Sequence, residues 1–114
     1  MKRIEAIIPN NKISLVVSAI EDARVTGITV VDSRGRGKGA RPSVRSSRGT
    51  KMQPAEYNNL ITVITIVDDS KVKQVVSAIL DVASTGTNGD GKIFISSVEE
   101  IIDIQTKQRS KNVL

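Results

Sequence analysis

Leu15-Val16-Val17-Ser18-Ala19-Ile20-Glu21-Asp22-Ala23-Arg24-Val25-Thr26-Gly27 returns fifty-nine residues later as Gln74-Val75-Val76-Ser77-Ala78-Ile79-Leu80-Asp81-Val82-Ala83-Ser84-Thr85-Gly86, with eight of thirteen positions identical. Two amphipathic helices can resemble each other by chance, but eight identities favour a duplicated unit. In each copy the apolar residues share one helical stripe. Val16, Val17, Ile20 and Ala23 form the first, and Val72, Val75, Val76, Ile79 and Val82 the second. Ser70, with Asp68 and Asp69 beside it, gives the second helix a capped, acidic start.

Strands flank each helix. Ile4–Ile8 reads as the first strand and stops at Pro9, which has no N–H to continue a ladder. Ile28–Ser33 is the second. Leu60–Val67 is the third, and its near-continuous β-branched run predicts burial on both faces. Lys92–Ser96 is the fourth and Ile101–Ile104 a short C-terminal strand. The order β-α-β-β-α-β predicts an α+β fold, a ferredoxin-like βαββαβ sandwich made of two βαβ halves. A single domain over residues 1–114 is expected, with a long loop at about 35–59 and a C-terminal tail at about 106–114. Loops of that length in a compact domain are usually functional or disordered.

Composition fits such a sheet. Hydrophobic residues make up 39% of the chain, nearly all Val, Ile, Leu and Ala, with Tyr57 and Phe94 the only aromatics. The absence of Cys excludes disulfides, thiolate metal sites and iron–sulfur clusters. The absence of His removes the commonest general base and metal ligand, so no catalytic residue is assigned. Met1-Lys2-Arg3-Ile4-Glu5 lacks the apolar run of a signal peptide, and no stretch reaches the length of a membrane span. A cytoplasmic protein is expected. The net charge of +5 sits in one place: Arg34, Arg36, Lys38, Arg41, Arg45, Arg48 and Lys51 follow one another with no acidic residue between them. The rest of the chain has ten basic and twelve acidic residues. The long loop therefore faces an anion, a nucleic acid or an acidic partner surface.

Three runs carry chemistry. Gly35-Arg36-Gly37-Lys38-Gly39 alternates glycines, which let backbone N–H groups point at an anion, with cations. It is not a Walker motif, and a flexible loop root with solvated charges is the competing reading. Thr85-Gly86-Thr87-Asn88-Gly89-Asp90-Gly91-Lys92-Ile93-Phe94 supplies turn residues and then a lysine beside a backbone nest suited to phosphate. An ordinary helix-to-strand turn competes with that. Arg41-Pro42-Ser43-Val44-Arg45-Ser46-Ser47-Arg48-Gly49 offers arginines that clamp phosphate bidentately, against a merely solvated loop.

Lys2-Arg3-Ile4-Glu5-Ala6-Ile7-Ile8-Pro9, Thr26-Gly27-Ile28-Thr29-Val30, Gly35-Arg36-Gly37 and the Thr85-Gly86-x-x-Gly89-Asp90-Gly91-Lys92-Ile93-Phe94 run resemble the PII signal proteins of nitrogen regulation. The resemblance covers nearly the whole chain in order, and the last run is its most specific part. It implies a non-enzymatic regulator, assembled as a homotrimer, whose intersubunit clefts bind ATP or ADP. It also implies that the long loop (the T-loop) docks onto a transporter or a metabolic enzyme, with membrane contact only through a transporter. Carried over by position, Ile7, Gly27, Ile28 and Thr29 surround the base. Gly35, Arg36 and Gly37 form one wall, and Gly89, Asp90, Gly91 and Lys92 hold phosphates.

The chain departs from that family at four positions. A Gln that helps hold magnesium and 2-oxoglutarate is absent from Gly37-Lys38-Gly39-Ala40, and a Lys that contacts 2-oxoglutarate falls at Leu60. Two phosphate-gripping arginines fall at Asp103 and Gln105. These departures count against the magnesium and 2-oxoglutarate response, and no residue is assigned to a metal. Gly37-Lys38-Gly39-Ala40-Arg41-Pro42-Ser43-Val44-Arg45-Ser46-Ser47 resembles a loop of PII-like proteins associated with bicarbonate transport, whose arginines clamp adenine nucleotides including cyclic AMP. On that resemblance Arg41 and Arg45 replace the missing pair and favour ADP, AMP or cyclic AMP in a carbon- or energy-linked sensor, with Lys38 a further nucleotide-binding candidate. The family's modifiable Tyr is also displaced, because the matching region reads Thr50-Lys51-Met52 and Tyr57 comes later.

A nucleic-acid-binding domain of the same fold is the rival from another class. Such domains stack bases on strand aromatics, and Phe94 alone is offered here, so no nucleic-acid partner is expected. A ferredoxin-like amino-acid-sensing module would leave the Gly-Asp-Gly-Lys run without a purpose.

Overall fold

In the computed structural model, residues 1–37, 43–45, 52–54 and 57–114 are described, with the backbone only of 43–45, 53, 54 and 111. Period-two alternation decides the sheet. Ile4, Ala6 and Ile8 of β1 (Lys2–Pro9) are buried, as are Ile61, Val63, Thr65 and Val67 of β5 (Asn58–Val67), while the residues between them are only half covered. The two strands pair antiparallel, with Ile4 opposite Thr65 and Ile8 opposite Ile61, so these buried positions share one face. β2 (Thr29–Gly35) adds to the outer edge of β5 and β6 (Lys92–Ser97) to that of β1, giving the order β2-β5-β1-β6. Two helices, α1 (Ile13–Asp22) and α2 (Val72–Ala83), complete the α+β architecture of the expected ferredoxin-like fold. Among the described residues, no helix is long and apolar enough to cross a membrane.

The repeat is visible in three dimensions. Pro9 and Asp68, fifty-nine apart, precede matching 3-10 turns (Asn10–Lys12 and Asp69–Lys71) with φ/ψ of −63/151 and −62/150. The helices then seat equivalent side chains in one core: Val16 and Val75 are each 0% exposed, Ile20 and Ile79 each 1%. That core is aliphatic throughout, and both aromatic rings lie outside it. The cap of the second half is Asp68 rather than Ser70, since its carboxylate accepts from Ser70 N–H and Oγ. The halves diverge after the helices. Thr29 faces Ile64 in β5, and the residue fifty-nine before Ile64 is Glu5, which faces Phe94. The repeat alone would have supplied residue 88 there, so the second half carries six extra residues between Gly86 and Ile93, Thr87–Lys92, the last of which opens β6.

Three expectations change. β5 is covered by helices on one face only. The open face presents Ile64 and Ile66 half-buried and Val31 and Phe94 exposed. The segment between β2 and β5 contains a short antiparallel hairpin, β3 (Ser43–Arg45) with β4 (Met52–Pro54). No strand forms at Ile101–Ile104. The β6 ladder ends near Val98, whose N–H donates to the Met1 carbonyl, and the Asp103 carboxylate then takes the N–H groups of Gln105 and Thr106 at 2.9 Å each. A side chain that gathers the following backbone in this way makes a turn and not a ladder.

Candidate functional site

The C-terminal end of β2, the start of β5, the end of β1 and the start of β6 all meet at one end of the sheet. There, on the open face, lies a cleft of ≈ 540 Å³ lined by Ile7, Gly35, Arg36, Gly37, Asn58, Leu60, Thr87, Asn88, Gly89, Gly91, Lys92 and Phe94. Register explains the gathering, because Gly35 lies opposite Asn58 and Ile7 opposite Lys92. The cleft thus sets two cations, Arg36 and Lys92, beside two glycine-rich backbones and an apolar floor. Such a surface offers an anion both charge and N–H groups.

Gly91 holds this geometry. It has φ +101, and a Cβ there would stand 1.8 Å from the Ile7 carbonyl oxygen. Only glycine lets the inserted loop lie so close against β1. Asp90 turns its carboxylate inward to the loop itself. It accepts from the N–H groups of Thr85 (2.7 Å), Gly86 (2.8 Å) and Thr87 (3.3 Å). The hydroxyls of Thr85 and Thr87 also donate to it. The Thr85 hydroxyl first, then its N–H, hold the Asp90 carboxyl well below the ordinary carboxylate range. Asp90 does not line the cleft. It ties down the loop, and Gly89, Gly91 and Lys92 are the members of that run that face the cleft.

The residues expected around a base are divided. Ile7 lies in the cleft, whereas Gly27, Ile28 and Thr29 line a separate cavity of ≈ 560 Å³ at the opposite end of β2 and β5. Its walls include Ile64, Ile66 and Lys71, with Ile101, Val113 and Leu114 from the C-terminal segment. Buried Thr65 donates its hydroxyl to the Gly27 carbonyl at 2.6 Å. The Lys71 ammonium donates to the carbonyls of Ala23 (3.3 Å) and Arg24 (3.1 Å), capping the C-terminal end of α1. Lys38 and Arg41 lie outside the described residues, as does the side chain of Arg45. Leu60, which stands where the resemblance expects a ligand-contacting lysine, does line the cleft, whereas Asn58 and Phe94 carry no site reading in the sequence. A lone aromatic in β6 is the available signal for Phe94, but Asn58 needs the register.

The family model "Nitrogen regulatory protein P-II" matches residues 1–108, stopping short of the last stretch of the tail. Curated proteins of that name are similar along all or nearly all of their length. The one from Nostoc punctiforme is 41% identical over 112 residues, covering 96% of each chain. Those from Pasteurella multocida and Synechocystis are 34% and 35% identical, covering 100% of both chains.

Proposed function

The chain belongs to the nitrogen regulatory protein P-II family, and from that premise we propose that it is a non-enzymatic cytoplasmic regulator that binds an adenine nucleotide between subunits of a homotrimer. The observation that carries this reading is the cleft in which Gly35-Arg36-Gly37 faces Gly89, Gly91 and Lys92 across Ile7 and Phe94. Both walls carry a cation and glycine backbone, which suits phosphates, and the floor between them is apolar, which suits a base edge.

The division of the expected residues between two cavities supports the oligomer. A chain that carries complementary halves of a site at opposite ends forms head-to-tail contacts, and these close into a ring when the rotation allows. Each contact would then join the cleft of one copy to the Gly27–Thr29 cavity of the next, and the open sheet face would be covered. The loop at about 35–59 would project from each site and report its occupancy to a transporter or metabolic enzyme.

A second reading, a carbon- or energy-linked sensor of ADP, AMP or cyclic AMP, is favoured by one observation. At the position where family resemblance expects a phosphate-gripping arginine, Asp103 is committed to a turn. Phosphate cations would then come from Lys38, Arg41 and Arg45. Calorimetric titration with ATP, ADP, AMP and cyclic AMP, with and without magnesium and 2-oxoglutarate, separates the readings. Nucleotide binding indifferent to 2-oxoglutarate supports the second, and ATP binding strengthened by it returns the chain to nitrogen sensing. An Arg45→Ala variant with unchanged affinity removes the loop clamp. No nucleotide binding at all defeats both.

A further inference from the structure

Asn88 and Gly89 are held less firmly than the loop that carries them. The Asp90 N–H donates to the Thr87 carbonyl at 3.3 Å and closes a turn with these two residues at its centre. Thr85, Gly86 and Thr87 are tied to the Asp90 carboxylate through their N–H groups. Among the described residues, neither Asn88 nor Gly89 makes a hydrogen bond, and both are exposed. The space around them is open too. A Cβ on Gly89 would meet nothing nearer than Thr87 Oγ1 at 3.9 Å, and its φ is not positive. Unlike Gly91, this glycine is required neither by crowding nor by backbone strain.

The pair has a chemistry of its own. The chain has six asparagines, and Asn88 is the one followed by glycine; Asn10, Asn11, Asn58, Asn59 and Asn112 precede Asn11, Lys12, Asn59, Leu60 and Val113. A side chain on the following residue shields that residue's backbone nitrogen, and glycine has none. The Gly89 nitrogen gives its proton to hydroxide and attacks the side-chain carbonyl carbon of Asn88. The side-chain nitrogen takes up a proton and leaves as ammonia, and a succinimide ring remains. Water then opens the ring at either carbonyl, giving aspartate or isoaspartate. Asp90-Gly91 has the same arrangement, but five donors hold the Asp90 carboxylate as the anion, a poor electrophile, and Gly91 is pressed against the Ile7 carbonyl.

We infer that Asn88 is a self-modification site, where deamidation through the Gly89 nitrogen places a carboxylate in the wall of the cleft and weakens its hold on an anion. The cleft is lined by Arg36 and Lys92 and by no acidic residue, so the new carboxylate offsets one of its two cations. The isoaspartyl product also adds a methylene to the main chain beside Gly89. Affinity for an anion thus falls with the age of the molecule. The effect on a ligand rests on the nucleotide reading above, whereas the chemistry at Asn88 does not.

The test uses the full chain and two separate readouts. After incubation in warm, mildly alkaline buffer, peptide mass spectrometry is expected to find –OH in place of –NH2 at residue 88 ahead of the other five asparagines. Enzymatic methylation reports the isoaspartyl share. Gly89→Ala, for which the loop has room, is expected to slow the conversion strongly. By calorimetry, Asn88→Asp is expected to bind ADP about fivefold more weakly than the wild type, or worse, since like unit charges in contact repel by about that factor even in water. An Asn88 that merely keeps pace with the other asparagines overturns the inference. So does a Gly89→Ala rate equal to that of the wild type, or an Asn88→Asp variant of undiminished affinity. If Asn88 converts first but no form of the chain binds any nucleotide, the nucleotide reading falls and the loss of affinity falls with it. The two failures are told apart because the mass shift is still seen.

Discussion

Gly91 and Asp90 are neighbours in sequence with different duties, and each is tied to a measurable quantity. A methyl group on Gly91 meets the Ile7 carbonyl at 1.8 Å and sits on a backbone of φ +101. Gly91→Ala is expected to destabilise the fold by about 2 kcal/mol or more, read by chemical denaturation, since strain at a positive φ costs about 1–3 kcal/mol even where space is free. Asp90→Asn weakens three N–H contacts and lets the inserted loop open, read as faster amide exchange at Thr85, Gly86 and Thr87. Acid is expected to do the same. The folded pKa of Asp90 is depressed, so its contribution is fully present above the unfolded carboxylate value of about 3.9 and is lost as pH falls towards the folded value. Loop protection should therefore be flat from neutral pH down to about pH 4 and fall only below it. The sequence singled out Gly89, Gly91 and Lys92 as members of one site, and all three line the cleft. That Asp90 serves the loop and not the cleft was not legible, because the direction of a short side chain is decided by which N–H groups the turn brings near it.

At the scale of elements, the fifty-nine-residue repeat carried most of the fold. It placed both helices, and β1, β2, β5 and β6 lie where the apolar runs flanking them put them, with boundaries shifted by a residue or two. The equivalence has an energetic corollary. Ile20→Ala and Ile79→Ala each empty a site 1% exposed in the same aliphatic core, so each is expected to cost about 2–5 kcal/mol, with similar shifts of the denaturation midpoint. A large inequality between the two would mean that the halves do not share one cooperative core. Two features escaped the repeat. The six residues Thr87–Lys92 break it, and their insertion becomes visible only through the pairing of Glu5 with Phe94. The expected strand at Ile101–Ile104 reads as apolar and β-branched, yet Asp103 at its third position recruits the following backbone into a turn. A four-residue run with three apolar positions has too little ladder to outweigh that.

For the whole molecule, the proposed assembly would make oligomer formation and nucleotide binding one property, because the open sheet face lies between the two separated cavities. Val31 is 43% exposed on that face and lines neither cavity. If the proposed ring forms, Val31→Lys is expected to convert it to monomers in analytical ultracentrifugation and, in the same preparation, to abolish nucleotide binding by calorimetry. Monomers that bind nucleotide undiminished would show that one chain holds a complete site. The aliphatic interior has a further, optical consequence. There is no tryptophan, and Tyr57 and Phe94, at 46% and 49% exposure, belong to the rim: Phe94 lines the cleft, and Tyr57 immediately precedes Asn58, which does. The chain's intrinsic near-ultraviolet signal thus arises at the rim of the candidate cleft, so a tyrosine channel would register a ligand arriving there while melting of the interior passed almost unseen.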